Sequence, residues 1–283
     1  MTRRYLALVA LVSLWQTSCL QAQPKYDTPQ TKEVVEKMVA AHGGLDTWRN
    51  APTISYDNIF FNPFAMEGQD AYPWWVSHEV FDQKTRRLYQ DWPLDDGQLV
   101  YDGKEVWSVN WGNDNTPQFM TLFFYYFVNL PWLTQDANVR LGAPETGRLP
   151  GLDKDFITVR MTFTEKPAVG KTAQDSYKLY IDPDTYLLQG YEYSIGFGPM
   201  LDLMGVPEGE IFGPMLRVHD KFTTVDGLVF PTRFHTMPPD GSTTYGFHTV
   251  INHSITEPFD EARMNKPADA VVDKTTHLRR SQR

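Results

Sequence analysis

The residues best spaced to do chemistry are the histidines of the last third of the chain. His219, His235, His248 and His253 fall close together, and His219 precedes Asp220. An imidazole beside a carboxylate can serve as a general base, and imidazoles converging from adjacent strands can bind a metal. Strand parity weakens both readings. His248 and His253 are five apart, so on a regular strand they point to opposite faces. The histidines are therefore expected as polar positions on the outer face of their strands. Other motifs are incomplete. Gly170–Lys171–Thr172 echoes a phosphate loop, but Glu165 stands where its first glycine is needed. Asp182 and Asp184 flank a proline without the remaining ligands of a calcium loop. Glu208 and Glu210 read as a solvated pair, and Asn252-His253-Ser254 matches a glycosylation sequon by pattern alone. There is no G-x-S-x-G elbow and no H-E-x-x-H. No catalytic residue, metal site or cofactor is expected.

The more unusual chemistry is apolar. Residues 119–133 read FMTLFFYYFVNLPWL, uncharged and dense in aromatic rings, within a chain of net charge −9. An acidic chain argues against nucleic acid as a partner. A fully buried Phe contributes roughly 1.5–3 kcal/mol relative to exposure. Leaving this set in water would forfeit on the order of 10 kcal/mol, comparable to the stability of a domain. As a helix ended by Pro131 it is too short to cross a bilayer, and its rings leave no polar face. The segment 116–133 is therefore expected as a lid with both faces covered. Leu122, Phe123, Phe124, Tyr126, Phe127 and Trp132 are its candidate ligand contacts. A plain core helix is the competing reading. A second apolar interruption, 194–216, carries Met200, Met204, Phe212 and Met215 among five glycines and three prolines. Methionines suit adaptable apolar surfaces, so this segment reads as a flap. Trp74, Trp75, Trp107 and Trp111 are candidates for the cavity wall, Trp75 and Trp107 foremost; only one of Trp74 and Trp75 can face inward.

The elements that would position these segments are mostly strands. The first 22 residues read as an export signal, with Arg3 and Arg4 ahead of an apolar run. Either Cys19, the only cysteine, is lipidated, or cleavage follows Ala22. Residues 23–283 then form one domain. A helix is expected over 29–42, with Thr28 as cap, Pro29 in its first turn and Gly43–Gly44 at its end. His42 reads there as a cation near the negative end of the helix dipole. From Thr53 about eleven short aromatic and β-branched runs follow in meander order, favouring an antiparallel barrel, half-barrel or sandwich. The basic tail 274–283 is expected to fray.

The hairpin VYDGKEVWSVN, with YKLYIDPDTYLLQGYEYSI and KFTTVDGLVFPTRF in the second half, resembles the LolA/LolB-like superfamily of bacterial lipoprotein carriers. The resemblance spans nearly the whole chain after the signal. It implies an α+β, mainly β fold: a curved, incomplete antiparallel β-barrel whose apolar concave face is closed by helices. It further implies a monomer that binds a lipid or acyl chain in the periplasm or at the outer membrane, with a lipoprotein or outer-membrane partner and no catalysis. Such carriers hold the lid by a polar contact, commonly an arginine, for which Arg86 and Arg87 are candidates. The competing function is a protein-interaction module whose apolar segments are core or interface; a periplasmic hydrolase ranks below it.

Overall fold

The computed structural model describes residues 23–61, 73–166 and 172–282. The signal segment, Cys19 and most of the Gly170–Lys171–Thr172 motif lie outside them. In chain order the elements are β1 (Lys25–Tyr26), α1 (Pro29–Ala41), α2 (Leu45–Asn50), β2 (Thr53–Phe61), β3 (Trp74–Asp82), β4 (Leu88–Trp92), β5 (Gly97–Tyr101) and β6 (Val106–Val109). Next come α3 (Pro117–Leu133), β7 (Val139–Leu141), β8 (Glu145–Arg148), β9 (Asp155–Phe163), β10 (Ser176–Ile181), β11 (Leu188–Ile195) and α4 (Gly198–Leu203). The chain closes with β12 (Phe212–Val225), β13 (Leu228–Met237), β14 (Gly246–Ser254) and β15 (Val271–Asp273).

Among the described residues one large, open, curved sheet holds fifteen strands, in the order β1-β7-β9-β10-β11-β12-β13-β14-β2-β3-β4-β5-β6-β15, with β8 beside β9. The expectation of about eleven is corrected by four further short strands, β1, β7, β8 and β15. They are too short to show a period. Every pairing is antiparallel except β1 with β7. Between β12 and β13, Val225 pairs with Leu228 across Asp226 and Gly227, both at positive φ, which is the geometry a two-residue hairpin needs.

The concave face holds the core. α1 enters with the Thr28 hydroxyl accepting from the Thr31 amide, and lays Val34, Val35, Met38 and Val39 inward. It leaves through Gly43 at φ 97°, where a Cβ would sit 2.0 Å from the Gly227 carbonyl oxygen. Only glycine lets α1 rest on the β12–β13 turn. α3 lies in the trough, with Trp132 stacked on Trp48 at 5.9 Å and Phe81 4.6 Å from Tyr125. The opposite face is covered by the segment after β14, where Phe259 and Met264 pack on Val80, Tyr89, Val100 and Trp107.

His42 corrects its expected role. It is fully buried, with Nδ1 2.8 Å from the Val229 carbonyl and Nε2 accepting from the Leu188 amide at 3.0 Å. Because Nε2 accepts, Nδ1 carries the proton and the ring is neutral. Burial outweighs the Val229 bond and brings its pKa down to about 4. A backbone amide and a carbonyl from two strands, not the helix dipole, fix this residue. The tail is tied down as well. Arg279 holds Asp202 at 3.1 Å and donates to the Pro207 carbonyl at 2.6 Å, and the Gly198 amide donates to the His277 carbonyl at 2.9 Å.

Candidate ligand-binding cavity

α3 begins where the Thr116 hydroxyl accepts from the Phe119 amide at 3.3 Å and Pro117 takes the first turn. Pro131 does not stop it, because the helix ends two residues later and the bond that proline removes falls in its last turn. The buried amide side chain in its second half is satisfied. Asn129 accepts from the Trp48 indole at 2.8 Å and donates to the Tyr125 carbonyl at 3.0 Å. Arg86 reaches the helix from the β3–β4 turn, donating to the Tyr125 hydroxyl, with its guanidinium 4.9 Å from the Trp48 ring centre. Arg87 points away, to Asp82 and Glu261 at 3.1 and 2.6 Å.

Between α3, α4 and the sheet lies a cavity of about 610 Å³. Its wall is mainly aromatic rings and methionines: Phe60, Trp75, Phe119, Phe123, Phe124, Tyr193, Met200, Met204 and Met215. Three polar side chains reach it from the sheet, Arg217, Thr236 and His248, and Asn113 to Asn115 border it ahead of α3. Leu203 and Met204 are about half exposed, at 47% and 49%. A water-facing apolar edge of this kind suits an opening more than a core.

The residues singled out from the sequence divide by the direction in which they leave their elements. Trp75, Phe123, Phe124, Met200, Met204 and Met215 line the cavity. Trp107 does not: strand parity puts it on the opposite face, against the segment after β14. Tyr126 and Trp132 pack away from the cavity, toward Tyr177 and Phe230, while Phe127 stands behind its wall, against Phe123, Tyr191, Tyr193 and the Arg217 guanidinium. Phe212 opens β12 and packs on the core, so the end of the 194–216 segment is strand and not loop. The side chain of Leu122 lies outside the described residues.

The histidines also part company. β12, β13 and β14 are neighbours, yet His219 pairs with Phe234, so His235 falls on the other face, 3.1 Å from Asp220. His219 and His248 are buried on the concave side, which corrects the outer-face expectation for both. His219 donates from Nδ1 to the Leu188 carbonyl at 2.8 Å. Leu188 is thus gripped at its amide by His42 and at its carbonyl by His219. Burial holds His219 down to about 3 and His248 well below the ordinary range, so neither carries charge at neutral pH. Among the described residues no three His, Cys, Asp or Glu side chains are grouped to hold a metal ion.

Sequence reading missed Arg217. It sits on β12 with 1% of its surface exposed, its Cζ 3.5 Å from the Phe127 ring centre and 4.6 Å from that of Phe234. Its sequence neighbours, Met215 to Asp220, gave no sign that the alternate position would face a cavity.

A model of a family of unknown function, DUF6503, matches residues 115–198, from just ahead of α3 to the start of α4. Among curated proteins none matches the chain. Solved structures do. A LolA superfamily protein from Nitrosomonas europaea is 9% identical with a TM-score of 0.48, over 83% of this chain and 97% of its own. A DUF1329 family protein from Desulfovibrio piger is 10% identical with a TM-score of 0.50, over 84% and 98%. A domain described as an outer membrane lipoprotein-sorting protein, from Vibrio parahaemolyticus, is 9% identical with a TM-score of 0.47, over 82% and 95%. At 10% identity the likeness to the DUF1329 family protein is one of fold alone. Among the described residues no helix is long and apolar enough to cross a membrane.

Proposed function

We propose that this protein binds a lipid or lipoprotein acyl chain without catalysis, as an exported carrier or receptor of the bacterial cell envelope. The cavity beneath α3 and α4 supports the reading. Its volume of about 610 Å³ falls within the range of ~300–1,000 Å³ usual for small-molecule sites. Its aromatic and methionine wall matches an apolar chain. Each methylene taken from water contributes ~0.8 kcal/mol. Fifteen of them supply about 12 kcal/mol; after an association cost of ~4 kcal/mol about 8 kcal/mol remains, enough for micromolar binding. α3 is the fixed roof, because its other faces are committed to the core. α4 and the loop after it are the movable edge.

The test is uptake of a fluorescent sixteen-carbon fatty acid by the purified protein, compared with Met215→Trp, which fills the cavity from β12. The wild type should bind one probe, and the variant should bind at least tenfold more weakly while unfolding within a few degrees of it. A wild type that leaves the probe in solution contradicts the proposal. It would favour the interaction-module reading, in which Leu203 and Met204 meet another protein.

A further inference from the structure

The polar floor of the cavity has a chemistry that its apolar wall does not explain. Arg217 is 1% exposed. An arginine does not shed its proton inside a protein, so its charge is buried with it. Nη2 lies 3.4 Å from Nε2 of His248, while Nε and Nη1 have no hydrogen-bond partner among the described residues. Among the described residues no carboxylate pairs with any of its three nitrogens. The Tyr191 and Tyr193 hydroxyls lie close enough to the guanidinium to act as side-chain partners, but burial raises both pKa values, so they are neutral phenols that leave its charge uncompensated. The faces of Phe127 and Phe234 offset part of the cost of burial without neutralising the charge. Directly across the ladder, Thr236 faces the same cavity and its Oγ1 also lacks a partner. Buried polar groups are ordinarily hydrogen-bonded, and an unpaired buried cation is disfavoured unless something else offsets it.

We infer that the cavity takes an anionic amphiphile head first, its acidic group seated on Arg217 and Thr236 and its chain running out beneath α3 and α4. The inference deepens the ligand-binding reading above and rests on it. A carboxylate or a phosphate presents two oxygens to a guanidinium fork; Nη2 spends one of its two hydrogens on His248, and the other, with the unpaired Nε or Nη1 beside it, makes such a fork. Thr236 donates a third bond. His248 stays neutral and accepts from Nη2, keeping the fork oriented. The half-exposed Leu203 and Met204 at the rim then lie along the tail.

Four amphiphiles with one sixteen-carbon chain and different heads separate the possibilities, each kept below its micelle concentration: palmitate, hexadecyl phosphate, hexadecanol and hexadecyltrimethylammonium. The wild type should bind palmitate or hexadecyl phosphate at least tenfold tighter than hexadecanol, and the ammonium no better than hexadecanol. Arg217→Met should bring the anion-to-alcohol ratio below threefold and leave hexadecanol affinity within threefold of wild type. Its thermal midpoint should equal or exceed that of the wild type, because an unpaired charge has been removed. Arg217→Lys keeps the charge without the fork and should retain an intermediate ratio. Adding 1-palmitoyl-lysophosphatidylglycerol identifies the source: tighter binding of palmitate points to free fatty acids, the reverse to phospholipid heads. Hexadecanol binding within threefold of both anions in the wild type overturns the inference, whether or not the variants fold, and leaves the lipid-binding reading intact. Failure of all four to bind overturns both.

Discussion

Replacing His42 by Leu should destabilise the protein strongly at pH 7.5 and much less at pH 5. The substitution orphans the Leu188 amide and the Val229 carbonyl, both inside the fold. Each buried group left without a partner costs about 1–3 kcal/mol, so a loss of about 2–6 kcal/mol is expected at pH 7.5. The pH dependence follows from the neutral ring. His42 ordinarily titrates at 6.5, and burial lowers it to about 4 in the fold. A base with a lowered folded pKa contributes stability above its unfolded value and loses it as pH falls toward the folded one. Between 6.5 and pH 5 the unfolded chain gains a proton that the folded chain refuses, at ~1.4 kcal/mol per pH unit, or about 2 kcal/mol in all. Leucine does not titrate, and the other titrating groups act on both proteins alike. The gap between wild type and variant should therefore narrow by about 2 kcal/mol. Urea unfolding of both proteins at the two pH values, with equal m-values, measures it. A gap that stays constant, or widens on acidification, would refute a neutral His42 clamped between the two strands.

The lid helix should respond according to which face is cut. Phe127→Ala removes a ring packed on Tyr191, Tyr193 and Arg217 and should cost about 3–5 kcal/mol in denaturant unfolding, whereas Phe123→Ala, on the cavity wall, should cost less and weaken probe uptake more. Arg279→Ala should leave the thermal midpoint nearly unchanged but release α4, seen as faster proteolysis within residues 198–211 and faster probe exchange, because the lost contacts to Asp202 and Pro207 hold only that edge. Gly43→Ala puts a Cβ against the Gly227 carbonyl at positive φ and should cost about 3 kcal/mol or more by the same unfolding assay.

What the sequence reveals here, and what it hides, follows from range. Eleven strands are legible from Thr53 onward because alternation and turn pairs such as Asp226–Gly227 are local signals. β1 and β15 are not, since strands of two and three residues exist only through their partners β7 and β6. Burial of α3 is legible because uncharged rings occupy every face of it. The side of α3 that meets the cavity is not, so Phe123 and Phe127 look equivalent until the sheet is in place. His42 and Leu188 are 146 positions apart, and nothing near either residue announces their bond. Arg217 is the instructive case: an arginine on a strand reads as solvated, and only the curvature of β12 into the trough buries it.

The most direct test of the central claim is native mass spectrometry of the protein expressed from Gln23 onward in a bacterial host, followed by denaturation and lipid extraction. The account predicts a mass above that of the bare chain by one lipid, which is lost on denaturation and recovered in the extract. A bare mass, unchanged after incubation with total envelope lipids, would contradict it and make the space beneath α3 and α4 a packing feature of the fold.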